Sequence, residues 1–167
     1  STADDQKSGG FTYRLARVEG TDHSAFNLNT ATGQLSLKSQ PNFETKSTYS
    51  ISVVSTDAGG KSYSKAFKIS ISDANDTPTI TSTSITASKE DSAYSYKFAA
   101  SDVDSGDTVT YAATKLPSWL KFNAGTGVLS GTPTNSEVGT HSVVLTATDS
   151  SGAVYNQSFT ITVRNVN

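Results

Sequence analysis

Cysteine is absent from the 167 residues. That excludes disulfide-rich scaffolds, thiolate nucleophiles and sulfur-based soft-metal sites. It is compatible with a bacterial exported protein and with a cytosolic one. A charge excess of either sign is also lacking: 13 Lys and Arg stand against 15 Asp and Glu, a net −2. So small an imbalance argues against a nucleic-acid or membrane-surface partner. No stretch approaches the roughly 18 consecutive apolar residues of a membrane span, so membrane insertion is not expected. No signal peptide opens the chain, and the "STADDQ" start and "RNVN" stop read as the ends of a fragment. The two histidines, His23 and His141, give no metal-binding spacing and no Ser-His-Asp arrangement. Phosphate-cradling glycine loops are missing as well, so catalysis is not expected.

What is present is repetition. "FNLNTATGQLS" (26–36) lies over "LKFNAGTGVLS" (120–130), so Thr32-Gly33 recurs 94 residues on as Thr126-Gly127. "YSISVVSTD", ending at Asp57, matches "HSVVLTATD", ending at Asp149, at an offset of 92, and "AFKISISDAN" matches "SFTITVRNVN" at the same offset. Ordered matches at a nearly constant offset imply tandem domains, placed at 1–76 and 77–167.

Within each copy apolar residues alternate with polar ones: Tyr49, Ile51, Val53; Phe67, Ile69, Ile71; Tyr94, Tyr96, Phe98; Phe159, Ile161, Val163. A period of two puts one face of a strand on a facing sheet and the other in water. Thr-Gly and Gly-Gly pairs mark turns, and no window carries a helical period. The expectation is an all-β protein of two Greek-key sandwiches. Copy two opens with "TITSTSITASKEDSA", a first strand and a turn, whereas Tyr13 of copy one, matching Tyr111, comes soon after the start. Copy one is therefore expected to lack its N-terminal strand, leaving unpaired backbone at an edge. Either the chain is cut there or the strand comes from elsewhere in a parent protein.

Between the copies lies "SDANDTPT" (72–79), with Asp73, Asn75 and Asp76 ahead of Pro78. Asp and Asn form turns through their own side chains, so the stretch reads either as a bland turn or as a binding site. "SDVDSGD" in copy two is open to the same two readings, and Asp107 within it is assigned to turn formation.

Copy one resembles a bacterial cadherin repeat (residues 1–78). The resemblance is carried by Phe26, Thr32-Gly33, "NFE" ending at Glu44, the Tyr49, Ile51, Val53, Ser55, Asp57 series, and Asp73, Asn75 and Asp76 before Pro78. Copy two (79–167) is similar to the dystroglycan-type cadherin-like, or immunoglobulin-like, domain through "LPSWLKFNAGTGVLSGTP", "ASDVDSGDTVTY" and "LTATDSSG". The resemblance implies tandem cadherin/Ig-like sandwiches in an elongated arrangement.

It also implies Ca²⁺, a hard cation taking six to eight oxygens from carboxylates, carbonyls and water. One ion would take Asn75, Asp102, Asp104 and Asp149. A neighbour would share Asp104 and take Glu44, Asp76 and the Ala74 carbonyl, with Asp73 supplying a further oxygen of the linker. One to three ions are expected. Two departures weaken the set: Asn42 stands where cadherins usually carry aspartate, and the first-strand glutamate of copy one is missing. Half-sites for neighbouring domains would be Asp57 with Asp4 or Asp5, and Glu90 with Glu137 and Asn165.

Trp119 reads either as a sugar-stacking platform or as core, with core favoured by its place between Leu116 and Leu120. His141 aligns with Tyr49 as a strand residue. Asn75-Asp-Thr and Asn156-Gln-Ser match glycosylation sequons, the first better explained as part of the metal linker. The expected function is non-enzymatic: calcium-binding modules, extracellular at a cell surface, that stiffen and extend a large bacterial adhesin. Their partners would be neighbouring domains of the same chain, with a glycan or protein on a target surface as a further partner, and the chain would be monomeric. The alternatives are a carbohydrate- or protein-binding accessory module of a secreted protein, or a split domain framing an inserted ligand-binding domain.

Overall fold

The alternating stretches are strands in the computed structural model, which describes residues 10–166. The chain divides into two units, Ser1–Ala74 and Asn75–Asn167. The boundary thus falls two residues ahead of the one implied by the repeats, and Asn75 and Asp76 belong to the second unit. The described residues contain no α-helix, only the short 3₁₀ turns His23–Ala25 and Asn135–Glu137.

The first unit holds β1 (Thr12–Leu15), β2 (Phe26–Leu28), β3 (Leu35–Leu37), β4 (Thr48–Thr56) and β5 (Ser62–Ser70). They form an antiparallel sheet in the order β1-β4-β5 and a hairpin β2-β3. Its buried apolar residues are Phe26, Ile51 and, on the other face of β4, Val54. Phe26 meets Tyr49 edge-on at 5.6 Å between ring centroids.

The second unit adds β6 (Thr79–Ile80), β7 (Ala87–Lys89), β8 (Tyr94–Lys97), β9 (Ala100–Ser101), β10 (Thr110–Lys115), β11 (Leu120–Asn123), β12 (Val128–Gly131), β13 (Gly139–Thr148) and β14 (Val154–Arg164). One sheet runs β10-β13-β14-β7, with β7 parallel to β14, and the other runs β11-β12-β8. A short pair, β6 with β9, completes the unit. The two main sheets enclose a core of Tyr94, Tyr96, Phe98, Leu120, Leu129, Val143, Leu145, Ala147 and Ile161. Each fully buried large side chain contributes about 1.5–3 kcal/mol. The aromatics of β8 also spend their hydroxyls: Tyr94 donates to the Ile85 carbonyl at 2.8 Å and Tyr96 to Gln157 Oε1 at 2.7 Å. Burial pushes the Tyr94 phenol up to about 12.

The repeat extends to register. Ile51 stands opposite Phe67 in the first unit, and their counterparts Val143 and Phe159 stand opposite each other in the second. Both Thr-Gly turns place glycine at positive φ, +73° at Gly33 and +69° at Gly127, against a tyrosine ring, Tyr13 or Tyr111. Burial does not repeat. Ile161 is fully buried and Phe159 packs on the core, yet Phe67 is 42 % exposed. The expected inward face of β5 is therefore half open. Among the described residues, the first unit has no strand equivalent to β7 or β8 to cover it.

Candidate metal centre

Three segments of the second unit converge at one end of its sandwich: the linker residues Asn75 and Asp76, the loop after β9, and the end of β13. The β9 loop carries Asp102, Asp104 and Asp107 because "SDVDSGD" turns back on itself. The Asp104 N–H donates to Asp102 Oδ1 at 2.9 Å, and the Asp107 N–H donates to the Asp104 carbonyl at 3.2 Å. Gly106, at φ +96°, allows the turn between them. Asp149 ends β13, and its Oδ1 accepts the backbone N–H groups of Ser151 and Ala153 at 2.9 and 2.8 Å.

Carboxylate oxygens of Asp102, Asp107 and Asp149 all lie within 4.8 Å of one another. Asp149 is only 5 % exposed, and Asp102 and Asp107 are half-buried. Asn75 Nδ2 donates to Asp149 Oδ2 at 2.8 Å, and the Asp76 N–H donates to Asp104 Oδ2 at 2.8 Å. These bonds account for part of each carboxylate. Asp102 Oδ2, Asp104 Oδ1 and Asp107 Oδ2 are buried with no hydrogen-bond partner. A buried carboxylate oxygen lacking a donor is costly.

The charges act on one another. Burial, then the neighbouring charges of Asp149, Asp102 and Asp104, hold Asp107 above the ordinary carboxylate range. Asp149 is held below that range, chiefly by the Asn75 amide, with the N–H groups of Ala153, Gly152 and Ser151 adding to it against its own burial. A divalent cation would satisfy the orphaned oxygens and cancel this repulsion. The donor set is oxygen throughout, which suits calcium or magnesium and not zinc. The residues therefore fit a hard cation.

Of the residues singled out in the sequence, Asp102 and Asp149 come together, Asp104 stands in the same loop, and Asn75 and Asp76 are hydrogen-bonded to this set. Asp107, read from sequence as a turn residue, is one of the three mutually close carboxylates. Its sequence signal was its recurrence five residues after Asp102 in a loop already rich in acids. Glu44, Asp73 and Ala74 belong to the first unit, where all are exposed. Glu44 and Asp73 bring carboxylate oxygens within 4.8 Å of each other there.

Asp57, the counterpart of Asp149, accepts the Lys61 N–H at 2.8 Å in a tight turn. Asp4 and Asp5 lie outside the described residues. Glu90 is 1 % exposed and accepts the Val166 N–H at 2.8 Å, and Glu137 forms a capping box with Thr134. Trp119 packs against the core, edge-on to Tyr94 at 5.8 Å and to His141 at 5.7 Å, and so sits as a core residue.

Residues 77–164 match the family described as "Putative Ig domain". The chain is 36% identical over 102 residues to the serine-rich adhesin for platelets of Staphylococcus aureus strain MRSA252, covering 61% of this chain and 7% of the adhesin. The homologous adhesin of strain MSSA476 is matched at the same identity over 4% of its length. The chain thus spans less than a tenth of the curated relatives it matches. Among solved structures, human protocadherin-24 EC1-2 aligns with a TM-score of 0.67 at 20% identity, covering 98% of this chain and 85% of that one. Protocadherin gamma B2 domains 3-6 align at 0.60 and 24% identity, covering 93% and 40%. Those likenesses concern the fold, an all-β cadherin/Ig-like sandwich.

Proposed function

Because residues 77–164 make this chain a member of the Putative Ig domain family, we propose that it is a calcium-binding, non-enzymatic adhesion module of an extracellular surface protein. The observation that carries the reading is the trio Asp102, Asp107 and Asp149, with buried oxygens that no donor satisfies. Asp104 and Asp76 surround the trio. Asn75 would present its carbonyl oxygen once its amide turns over. For Glu44, Asp73 and the Ala74 carbonyl the proposal rests on the sequence resemblance alone. The similarity to platelet adhesins supports a place on a cell surface.

Extracellular modules commonly bind calcium with Kd of order 10⁻⁴ to 10⁻³ M, so the site fills outside a cell and stays empty in the cytoplasm. The role that follows is mechanical, to stiffen and extend an adhesin. Calorimetric titration with Ca²⁺ tests the site. Binding in that range should weaken by roughly tenfold or more in D102N and in D149N, because ligand charge sets affinity. Wild-type protein that takes up no calcium at several millimolar would sink the reading. Small-angle scattering with calcium and then chelator tests the mechanical role, which requires a stiffer particle with calcium.

A further inference from the structure

The first unit has an apolar groove of about 440 Å³ lined by Tyr13, Leu28, Leu35, Ile51, Phe67 and Ile69. In the second unit the equivalent space is filled. There β8 lies antiparallel to β12, pairing Tyr96 with Leu129 and Tyr94 with Gly131, and Tyr96 and Phe98 are 3 % and 0 % exposed. β7 lies parallel to β14 along Thr162–Arg164. The matching positions of the first unit are the free sides of β3 and β5: Leu35 corresponds to Leu129, and Ser70 to Thr162. One more contact differs. A Cβ at Gly127 would meet the Phe98 carbonyl at 2.6 Å, whereas at Gly33 it meets only the Tyr13 ring.

We propose that this groove is a strand-acceptor site for an extended polypeptide segment with the β7–turn–β8 pattern. Such a segment carries aromatic or aliphatic side chains at alternate positions, as Tyr94, Tyr96 and Phe98 do. It adds antiparallel to β3 and returns beside β5. Main-chain bonds to a free edge give affinity, and pockets for alternate side chains give selectivity. The second unit of this chain shows that occupant in place on the same framework.

Other occupants fit worse. Residues 1–9, Ser-Thr-Ala-Asp-Asp-Gln-Lys-Ser-Gly, have no apolar side chain larger than alanine. A second copy of the chain has no spare strand of this pattern, because β8 is the centre of its own second core.

The test adds a synthetic peptide of residues 83–100, which spans β7 and β8, to the intact chain and follows amide hydrogen exchange. The expected result is slowing at Leu35–Leu37 and Phe67–Ile71 by roughly tenfold or more at saturation. A peptide with serine at the three aromatic positions should give no slowing. Phe67→Ser, at a position already 42 % exposed, should weaken binding while exchange in the second unit stays unchanged. The proposal is overturned by no slowing at about millimolar peptide, by equal slowing with the serine peptide, or by slowing confined to the second unit. It is also overturned if the same amides are protected by self-association without peptide, which would make a second copy the occupant.

Discussion

Asp107 and Asp149 sit in one carboxylate cluster and are pushed in opposite directions. Asp149 is depressed by the Asn75 amide, so its contribution to stability is present above the ordinary carboxylate range and is lost as pH falls through its lowered value. Asp107 is raised by burial and by its neighbours, so its sign is reversed: stability is lost as pH rises through its value. Asp107→Asn in chelator should therefore raise the melting temperature near neutral pH, and the gain should vanish at low pH, where wild-type Asp107 holds its proton. With millimolar calcium the same substitution should lower the melting temperature. Thermal melts across pH, with and without calcium, read both signs. The two Thr-Gly turns give a second residue-scale prediction. Alanine at either glycine meets a left-handed backbone, costing about 1–2 kcal/mol. At Gly127 it also meets the Phe98 carbonyl at 2.6 Å. Gly127→Ala should thus destabilise its unit more than Gly33→Ala destabilises the other, as judged by denaturant titration.

At the scale of elements, β5 and β14 share sequence pattern, length class and partner register, and differ in what covers them. Ile161 is fully enclosed, so Ile161→Ala should cost about 3–4 kcal/mol through lost burial and the cavity left behind. Ile69 faces the open groove, and Ile69→Ala should cost less than half as much, about 1–1.5 kcal/mol. Urea unfolding of each variant checks the ratio. The strands were legible because period-two alternation is a local property: Tyr94, Tyr96 and Phe98 announce an inward face wherever they lie. The exposure of Phe67 was not legible. Its own stretch, "AFKISIS", reads like that of Phe159, and what differs is the absent neighbour. Missing copy-one sequence ahead of Tyr13 was the only hint, and it marked the lost strand without marking which side chains its loss uncovers.

For the whole chain, the two units should unfold as separate transitions, the first at the lower temperature because its core is smaller and open on one side. Calcium binds folded carboxylates clustered in the second unit, so it should move the upper transition. At a calcium concentration about 100 times Kd the expected stabilisation is about 2.7 kcal/mol, a shift of roughly ten degrees or more for a unit of this size. Differential scanning calorimetry with calcium and with chelator separates the two transitions, and an upper transition indifferent to calcium would contradict the proposed site.

The sequence by itself determined the all-β class, the tandem repeat and its offset, the strand faces, and most acids of the candidate centre, because these rest on spacing along the chain. Alternation, turn residues and clustered carboxylates are written locally. Only the tertiary structure decided that Asp107 joins Asp102 and Asp149, since a loop must fold back before residues five apart share one space. It alone decided that Trp119 is core, that Asn75 reaches Asp149, and that the first unit keeps an open groove where the second is filled. Each of these depends on which neighbour lies across a gap, and a single chain segment does not carry the identity of what it faces.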